Sequence, residues 1–423
     1  MEIKKQVNVV GNYDVVVCGG GPAGFIAAIA ASRQGAKTAI IEEYGFLGGM
    51  ATSSFVTPIS VFTYKGELVI GGIPWEFMHK LSDMGGARIE EPLGNVAFEP
   101  EMYKLLCQRY MQEENIDMYM HSYISDVVVD GRCVTYVVFE NKNGTEALSA
   151  KKFIDCTGDA DVAYMAGCDM QDPGDTLQPM SSYFILGGCD TDSPMLKEAM
   201  CHNKTGENCH CLPVREKLLE LDIGEFGGPW FCTTLQPGVV TVNMTRTEGN
   251  AIDNRDFTKA ECKLREECFR MAKILKDNVD EFKDSYVLNI ATHGGIRETR
   301  RIVGAHTITA EEYVGRYEYE DSVSRGAHPI DIHVAHGANQ NITFLESPAY
   351  VPYRALYSSK FDNLLVAGRC ISADKQAFAS LRVQASCMGT GQAAGVAATQ
   401  DVPVQNVDIN KLREDLKEIG ANL

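Results

Sequence analysis

No apolar run in this chain reaches the roughly 18 residues that a membrane-crossing helix needs,. Basic residues are scarce: 39 Lys and Arg against 57 Asp and Glu leave a formal net charge of −18. A field of that sign repels phosphate backbones and anionic bilayers, so neither nucleic acid nor membrane is expected as a partner. The opening Met1-Glu2-Ile3-Lys4-Lys5 lacks an apolar h-region and leads directly toward a strand, so a secretory signal is not expected and the cytoplasm is the expected location,. No internal repeat or low-complexity linker is evident. The 14 cysteines are scattered through predicted strands and helices, which argues against a disulfide framework and for small buried hydrophobes,. What remains is 423 residues, 45% hydrophobic and 23% charged, the profile of a soluble globular chain with more than one domain,.

Near the N-terminus the order of elements is informative. Asp14-Val15-Val16-Val17-Cys18 reads as a buried strand, and Gly19-Gly20-Gly21-Pro22-Ala23-Gly24 follows at once,. Ala27-Ala28-Ile29-Ala30-Ala31 then reads as helix, with Gly35 placed to end it, and Lys37-Thr38-Ala39-Ile40-Ile41 as a second strand ending at Glu42,. Gly19 permits the tight turn, Gly21 lets backbone approach a pyrophosphate, and Gly24 lets helix and strand pack closely. The helix N-terminus supplies free N–H groups and a positive dipole end to phosphates, with Pro22 and Ala23 at its start. Glu42 lies near the expected spacing of about 20 residues for an acid that accepts from a ribose diol. These parts together point to a dinucleotide. The alternative, a glycine turn in an ordinary βαβ unit, leaves Glu42 unexplained. A second glycine-rich turn, Gly45-Phe46-Leu47-Gly48-Gly49-Met50-Ala51-Thr52, suits a ligand that extends past the ribose.

The Gly-Gly-Gly-Pro-Ala-Gly turn, followed by Ile41-Glu42-Glu43-Tyr44-Gly45-Phe46-Leu47-Gly48-Gly49-Met50-Ala51-Thr52, resembles the FAD-dependent oxidoreductases of the glutathione-reductase-like, two-dinucleotide-fold superfamily. More narrowly it resembles a bacterial family with a Gly-Phe-Leu-Gly-Gly segment and an Arg-Glu-Ser/Thr-Arg-Arg motif. The resemblance implies FAD as cofactor, with Gly19, Gly21, Pro22, Ala23, Gly24, Glu42, Glu43, Gly49, Met50, Ala51 and Thr52 on its nucleotide side. Such proteins often carry a basic residue after the ribose acid, where this chain has Glu43.

Further along, 99–114 reads as a helix with Pro100 at its first position. The apolar runs 118–121, 126–129, 134–139 and 152–156 read as strands of a β-meander, with a turn at Asn141 to Gly144. The family has a matching Asp-x-Thr-Gly-Asp turn where the chain passes the cofactor, which makes Thr157, Gly158 and Asp159 FAD-side candidates; a plain strand-ending turn is the alternative. Asn363 to Arg369 reads as a buried strand ending in Gly368 and Arg369. Cys387-Met388-Gly389-Thr390-Gly391-Gln392 reads as a glycine turn opening a small-residue helix. The family implies that this segment returns to the first βαβ unit and faces the flavin, with Gly389, Gly391 and Gln392 as contacts. The expected fold class is therefore α/β. A discontinuous Rossmann-like FAD domain with a β-meander (1–60, 98–165, 350–423) would carry an inserted α+β substrate or cap domain (61–97, 166–349). Within the cap, 237–244 suggests a strand and 256–277 an amphipathic helix.

The densest polar segment is Thr292-His293-Gly294-Gly295-Ile296-Arg297-Glu298-Thr299-Arg300-Arg301, joined by Pro329-Ile330-Asp331-Ile332-His333 and Pro352-Tyr353-Arg354-Ala355-Leu356. These match family segments. Flavin chemistry needs a substrate C–H held at the ring and a group to move a proton. Histidine as a residue type suits proton transfer near neutral pH, which brings forward His293, His333 and His336, and arginines orient carboxylates or stabilise oxyanions. Arg297, His333 and His293 are the catalytic candidates. An ion-pair knot joining the domains through Arg297, Glu298, Arg300 and Arg301 is the competing reading. Cys201-His202 and Cys209-His210-Cys211 fit neither zinc nor iron–sulfur spacing, so no metal is expected there. No cysteine pair follows the first glycine motif, which argues against a disulfide reductase. No second strand–GxGxxG–helix unit appears, so no tight nicotinamide site is expected. Only Trp75 and Trp230 are present, and no tryptophan-rich halogenase signature is visible. Two functions follow. One is an enzyme moving a hydride between a small organic molecule and FAD at an interdomain cleft; the other is an electron-transfer subunit serving a partner protein. A homo-oligomeric state is compatible with both.

Overall fold

Val15, Val16, Val17 and Cys18 are fully buried in the computed structural model, which describes residues 5–90, 94–174, 176–197, 212–334 and 340–423. They end strand β1 (Asn8–Cys18), from which the chain turns through three glycines into helix α1 (Pro22–Arg33) and returns as β2 (Thr38–Ile41). Fully burying each such aliphatic side chain contributes about 1.5–3 kcal/mol. Gly35, at φ +87°, lets the chain leave α1 and re-enter the sheet,. The chain continues as β3 (Asp117–Tyr119), a meander of β4 (Tyr123–Asp130) and β5 (Cys133–Asn141), and the long β6 (Gly144–Asp155); β7 (Leu364–Val366) joins late in the sequence. Strands β3-β2-β1-β6-β7 run parallel. The first half of β6 pairs antiparallel with β5, so one strand serves both the parallel sheet and the meander.

Between β6 and β7 the chain builds a second, antiparallel sheet in the order Trp230–Thr233, Val240–Asn243, Phe184–Gly187 and Tyr286–Ile290. The helix Asn254–Asn278 packs on it. Asp253 caps that helix by accepting from the N–H groups of Arg255 and Asp256, and Ala260, Leu264, Cys268, Met271 and Leu275 line its buried face at three- and four-residue spacing,. Its core, from Phe184 to Phe282, is distinct from the larger one. The larger core collects the parallel sheet, Ile59 to Phe98 and Ile302 to Val351. The expected cap comprised 61–97 and 166–349. Buried apolar residues of 62–98 and 302–345 belong to the larger core, while Ala97 packs on Cys232 and Arg88 donates to Thr233 of the antiparallel sheet. The described cysteines are free, and most are buried.

Helix α2 (Gln384–Ala397) lies buried along its whole length and crosses α1. A Cβ on Gly391 would overlap the Ala23 carbonyl oxygen, and one on Gly395 the Ala27 carbonyl oxygen. Both glycines sit on one face, four residues apart, as do the alanines they touch. Gly389 and Gly391 therefore lie inside the helix, not in a turn that opens it. Val383 is the N-cap and the helix begins at Gln384. Two backbones this close leave no room for a methyl group, so Gly391→Ala and Gly395→Ala should each destabilise the fold by about 1–3 kcal/mol. Denaturant unfolding checks this; an unchanged midpoint would show that the helices have space to spare.

Candidate functional site

Glycine geometry shapes one cradle. Gly19 sits at φ +94°, where a Cβ would meet the Cys156 carbonyl oxygen at 2.5 Å, so the first turn is pinned against the end of β6. A Cβ on Gly24 would overlap the Gly19 carbonyl oxygen, which keeps α1 hard against its own turn. Gly21 differs: the nearest atom to a Cβ there is Gly49 Cα at 3.9 Å. Space is left only where a ligand backbone would approach. The first α1 bond runs from Phe25 N–H to the Gly21 carbonyl, and no side chain caps the helix. The preceding N–H groups are left for an anion. The second glycine turn folds onto the first through Gly48 N–H and the Gly20 carbonyl, 2.9 Å. Gly49, Met50 and Ala51 then form one 3-10 turn, and the buried Thr52 hydroxyl closes it by donating to the Leu47 carbonyl at 2.9 Å. Glu42 is buried beside this turn. Its oxygens accept from Gly20 N–H at 2.6 Å and Tyr44 N–H at 3.0 Å. Burial pushes its pKa up to about 7 despite those two donors. Each oxygen keeps a lone pair for a ribose hydroxyl. Glu43 points to solvent.

The turn after β6 closes the far side. Fully buried Asp155 accepts from the Thr157 N–H (3.0 Å), the Thr157 hydroxyl (2.7 Å) and the Ala163 N–H (2.8 Å). Gly158, at φ +86°, leaves room for the Arg369 guanidinium. Arg369 donates to Asp159 Oδ1 at 2.9 Å and to the Ile296 carbonyl at 3.0 Å. Thr299 donates to the same Asp159 oxygen at 2.5 Å, and Arg300 pairs with Asp161 and donates to the Asp159 carbonyl. Gly368 packs on Ala23, with its N–H donating to Thr390 Oγ1 at 3.0 Å. Glu298 and Arg301 form a buried pair at 3.0 Å, and Arg301 also donates to the Ala373 carbonyl. Glu298, Thr299, Arg300 and Arg301 thus tie chain segments together, as the knot reading requires.

Arg297 is not in that knot. It turns the other way, buried, with Nη1 donating to the Pro179 carbonyl at 2.6 Å and to Ser181 Oγ at 2.9 Å. Burial and the neighbouring Arg382 lower its pKa to about 10, still charged at neutral pH. His333 lies in the same cluster. Its Nε2 meets Asp331 Oδ2 at 2.9 Å and its Nδ1 meets Arg246 Nη2 at 3.0 Å. A guanidinium only donates and a carboxylate only accepts, so the proton sits on Nε2 and the Nδ1 lone pair faces Arg246. Burial and Arg297 push the imidazole pKa down to about 3. Trp230 packs edge-on to the ring at 5.7 Å. Gln178 Oε1 accepts from His333 N–H at 3.2 Å, and Arg382 donates to the Asp331 carbonyl at 2.9 Å. Gln384, at the start of α2, donates to the Val56 carbonyl at 2.6 Å, just past the second glycine turn.

Several expected residues fall elsewhere. His293 bonds through Nδ1 to the Gly294 carbonyl at 2.7 Å and packs on Phe257 and Tyr44, apart from the Arg297–His333 cluster. Gly389 makes room for Ser324 rather than opening a helix, and Gln392 Oε1 caps the helix Ile73–Asp83 by accepting from Ile73 N–H at 2.7 Å. His336 and the Cys201–Cys211 segment lie outside the described residues. Sequence reasoning missed Gln178, Arg246 and Arg382. A lone arginine closing an apolar strand (Met244-Thr245-Arg246) was the one local signal among them.

The sequence profile of the FAD dependent oxidoreductase family matches residues 14–416. The chain belongs to that family. FAD is the cofactor of this oxidoreductase, and the cradle fits it: Gly21 leaves an open approach and Glu42 holds a buried acceptor pair. Short segments also match curated proteins. One of 37 residues is 62% identical to dihydrolipoyl dehydrogenase of Trypanosoma brucei brucei, covering 9% of this chain and 8% of that protein. Another of 55 residues is 64% identical to leghemoglobin reductase of Vigna unguiculata, covering 13% and 10%. The chain therefore matches only about a tenth of the length of these relatives. The flavin-dependent brominase Bmp2 shares the fold, with a TM-score of 0.54 at 14% identity over 96% of this chain and 83% of that one. No helix among the described residues is long and apolar enough to cross a membrane.

Two substitutions separate folding from FAD retention. Gly21 has φ −67°, which alanine adopts freely, so Gly21→Ala should keep the unfolding midpoint while FAD content falls sharply,. Glu42→Gln removes charge-assisted bonds worth about 1.5–3 kcal/mol, an expected 10- to 100-fold loss of FAD affinity by equilibrium titration. The folded carboxyl titrates near 7 against 4.5 unfolded, so Glu42 stabilises least above pH 7,. The FAD-free Glu42→Gln protein should then be the more stable of the two at pH 8, although it binds FAD less well.

Proposed function

We propose that this oxidoreductase transfers a hydride between a small organic substrate and FAD, at the junction of the nucleotide sheet and the inserted antiparallel sheet. Bound FAD supplies a two-electron acceptor or donor. The observation that carries the reading is the Arg297 cluster. Its members come from both units: Arg246, and Tyr183, which accepts from Asn243 at 2.8 Å and interacts with Arg297, from the segments flanking strands of the inserted sheet, Arg382 and Gln384 from the approach to α2, and Asp331 and His333 between them. Placement in the glutathione-reductase-like superfamily belongs to the same reading, supported by the βαβ turn, Glu42 and the Asp155–Asp159 return. So does the domain division, with 184–290 as the cap proper.

In this proposal Arg297 orients the substrate. His333 is the proton-handling group: Nδ1 becomes available when a substrate oxygen or nitrogen takes the place of Arg246. His293, against Tyr44 on the nucleotide side, is given no step. The test is an anaerobic spectral titration of the purified flavoprotein. Bleaching of oxidised FAD by a small molecule alone supports the enzyme; reduction only in the presence of a second protein overturns it. His333→Ala should retain FAD yet slow that bleaching by about 10²-fold or more, within the range for a lost acid–base group.

The pH dependence follows from the depressed imidazole. Folded His333 titrates near 3 against 6.5 unfolded, so the unfolded state binds more protons between those values,. Its share of stability is intact above about pH 6.5 and is lost as pH falls toward 3. His333→Ala should flatten that part of the stability profile, measured by denaturant unfolding at pH 4, 5 and 7.

A further inference from the structure

We infer that the substrate carries a carboxylate bound by Arg297 and Arg382, beside a hydroxyl or amino group that donates to the acceptors of the same cluster. This rests on the cluster being the substrate site.

Arg297 is 8% exposed and its partners, the Pro179 carbonyl and the Ser181 hydroxyl, are both neutral. Among the described residues no carboxylate lies within ion-pair distance of it, taken as 4.0 Å. The nearby acids are engaged elsewhere. Asp331 is drawn to His333 at 2.9 Å and stands 3.7 Å from Arg382. Glu298 is matched by Arg301 and, more loosely, Lys375. Arg246 also senses Arg215 and Glu225. His333 contributes no charge. Two guanidiniums, Arg297 and Arg382, therefore share one weakly placed carboxylate inside a chain whose net charge is −18. A buried cation without a counter-ion is unfavourable, and a substrate anion removes the imbalance.

Orphaned atoms say the same and add detail. Arg382 Nε and Gln178 Nε2 are buried donors with no partner. Asp331 Oδ1, Asn243 Oδ1 and Gln384 Oε1 are buried acceptors with no partner. A plain carboxylate satisfies only the donors, and a plain alcohol or amine can meet the acceptors but brings no negative charge to the guanidiniums. A hydroxy acid or an amino acid satisfies both sets. Planar guanidinium forks suit a carboxylate, which takes two parallel N–H bonds.

The experiment compares acid and amide pairs on the FAD-loaded protein: glycolate with glycolamide, lactate with lactamide, alanine with alaninamide, and inorganic phosphate as a second anion. Calorimetric titration and the shift of the oxidised flavin spectrum are the readouts. At least one acid should bind tenfold or more tightly than its amide. That preference should shrink to within twofold in Arg297→Gln and in Arg382→Gln. Arg297→Lys, which keeps charge without the fork, should retain part of it. Equal binding of acids and amides, binding of no acid, a preference for phosphate, or a preference unchanged in both Gln variants would each overturn the inference. A ligand-free check uses Arg297→Met. Removing an uncompensated buried cation should leave the melting midpoint unchanged or raised, and a large drop would show a structural partner and overturn it. If the flavin bleaches with neutral compounds while acids do not bind, the hydride reading stands and this inference falls. If acids bind with the expected preference but no small molecule reduces the flavin, the anion site stands and the hydride reading falls.

Discussion

Everything in the site depends on how closely α1 and α2 can approach. The contact runs from the Ala23 and Ala27 carbonyl oxygens to Gly391 and Gly395, with no side chain between. It fixes the height of α2 against the first glycine turn. From there Gly368 settles on Ala23, and Gln384 reaches the Val56 carbonyl beyond the second glycine turn. The cofactor cradle and the Arg382 end of the polar cluster are thereby held by one rigid crossing rather than by loops. A site built on helices and strands keeps its geometry to finer tolerance than one built on mobile segments.

Charge is divided between two tasks. Around Asp159 and Asp161, Arg300 and Arg369 are matched by carboxylates and by backbone carbonyls, and the result is a clasp. Three residues before Arg300, Arg297 has no ionic partner among the described residues. Arg297 leaves the chain toward Pro179 and Ser181, while Thr299 and Arg300 leave it toward Asp159. This short run of residues thus braces the Asp159 turn and leaves Arg297 facing another cluster. Bracing compensates the buried charges of the clasp; in the inference above, a substrate anion would do so for Arg297.

Much of the fold was legible because it rests on local signals. Strand β1, the glycine turn, α1 and β2 ending at Glu42 appear where apolar runs and glycines put them. The 254–278 helix matches its apolar spacing, with an Asp253 cap that the sequence already carries. The misreadings are of another kind. Gly389 and Gly391 have the same local look whether they open a helix or let two helices touch. Only tertiary contact with Ser324 and Ala23 decides between those readings. Likewise 61–97 carries no local mark of which core it joins. Gln178, Arg246 and Arg382 are separated in sequence and meet only in the folded chain, so no spacing rule could have paired them with His333. The motif Arg297 to Arg301 was visible as a unit, but its split into a clasp and a free guanidinium depends on which face each residue takes.

The same hydrogen-bond logic limits what His333 can do. Arg246 holds its Nδ1 lone pair and Asp331 holds its Nε2 proton, so in the ligand-free arrangement neither nitrogen is available. In the ligand-free arrangement, burial beside Arg297 disfavours a second proton, a cost that a substrate anion on Arg297 would lower. An imidazole fixed in this way is a poor acid but becomes a base once Arg246 moves off. A substrate carboxylate offers Arg246, Arg297 and Arg382 a common anion, and drawing Arg246 toward it would free Nδ1 as the substrate settles. Binding and proton transfer would then be linked through one guanidinium. The histidine would stay silent until the charge that the cluster lacks has arrived.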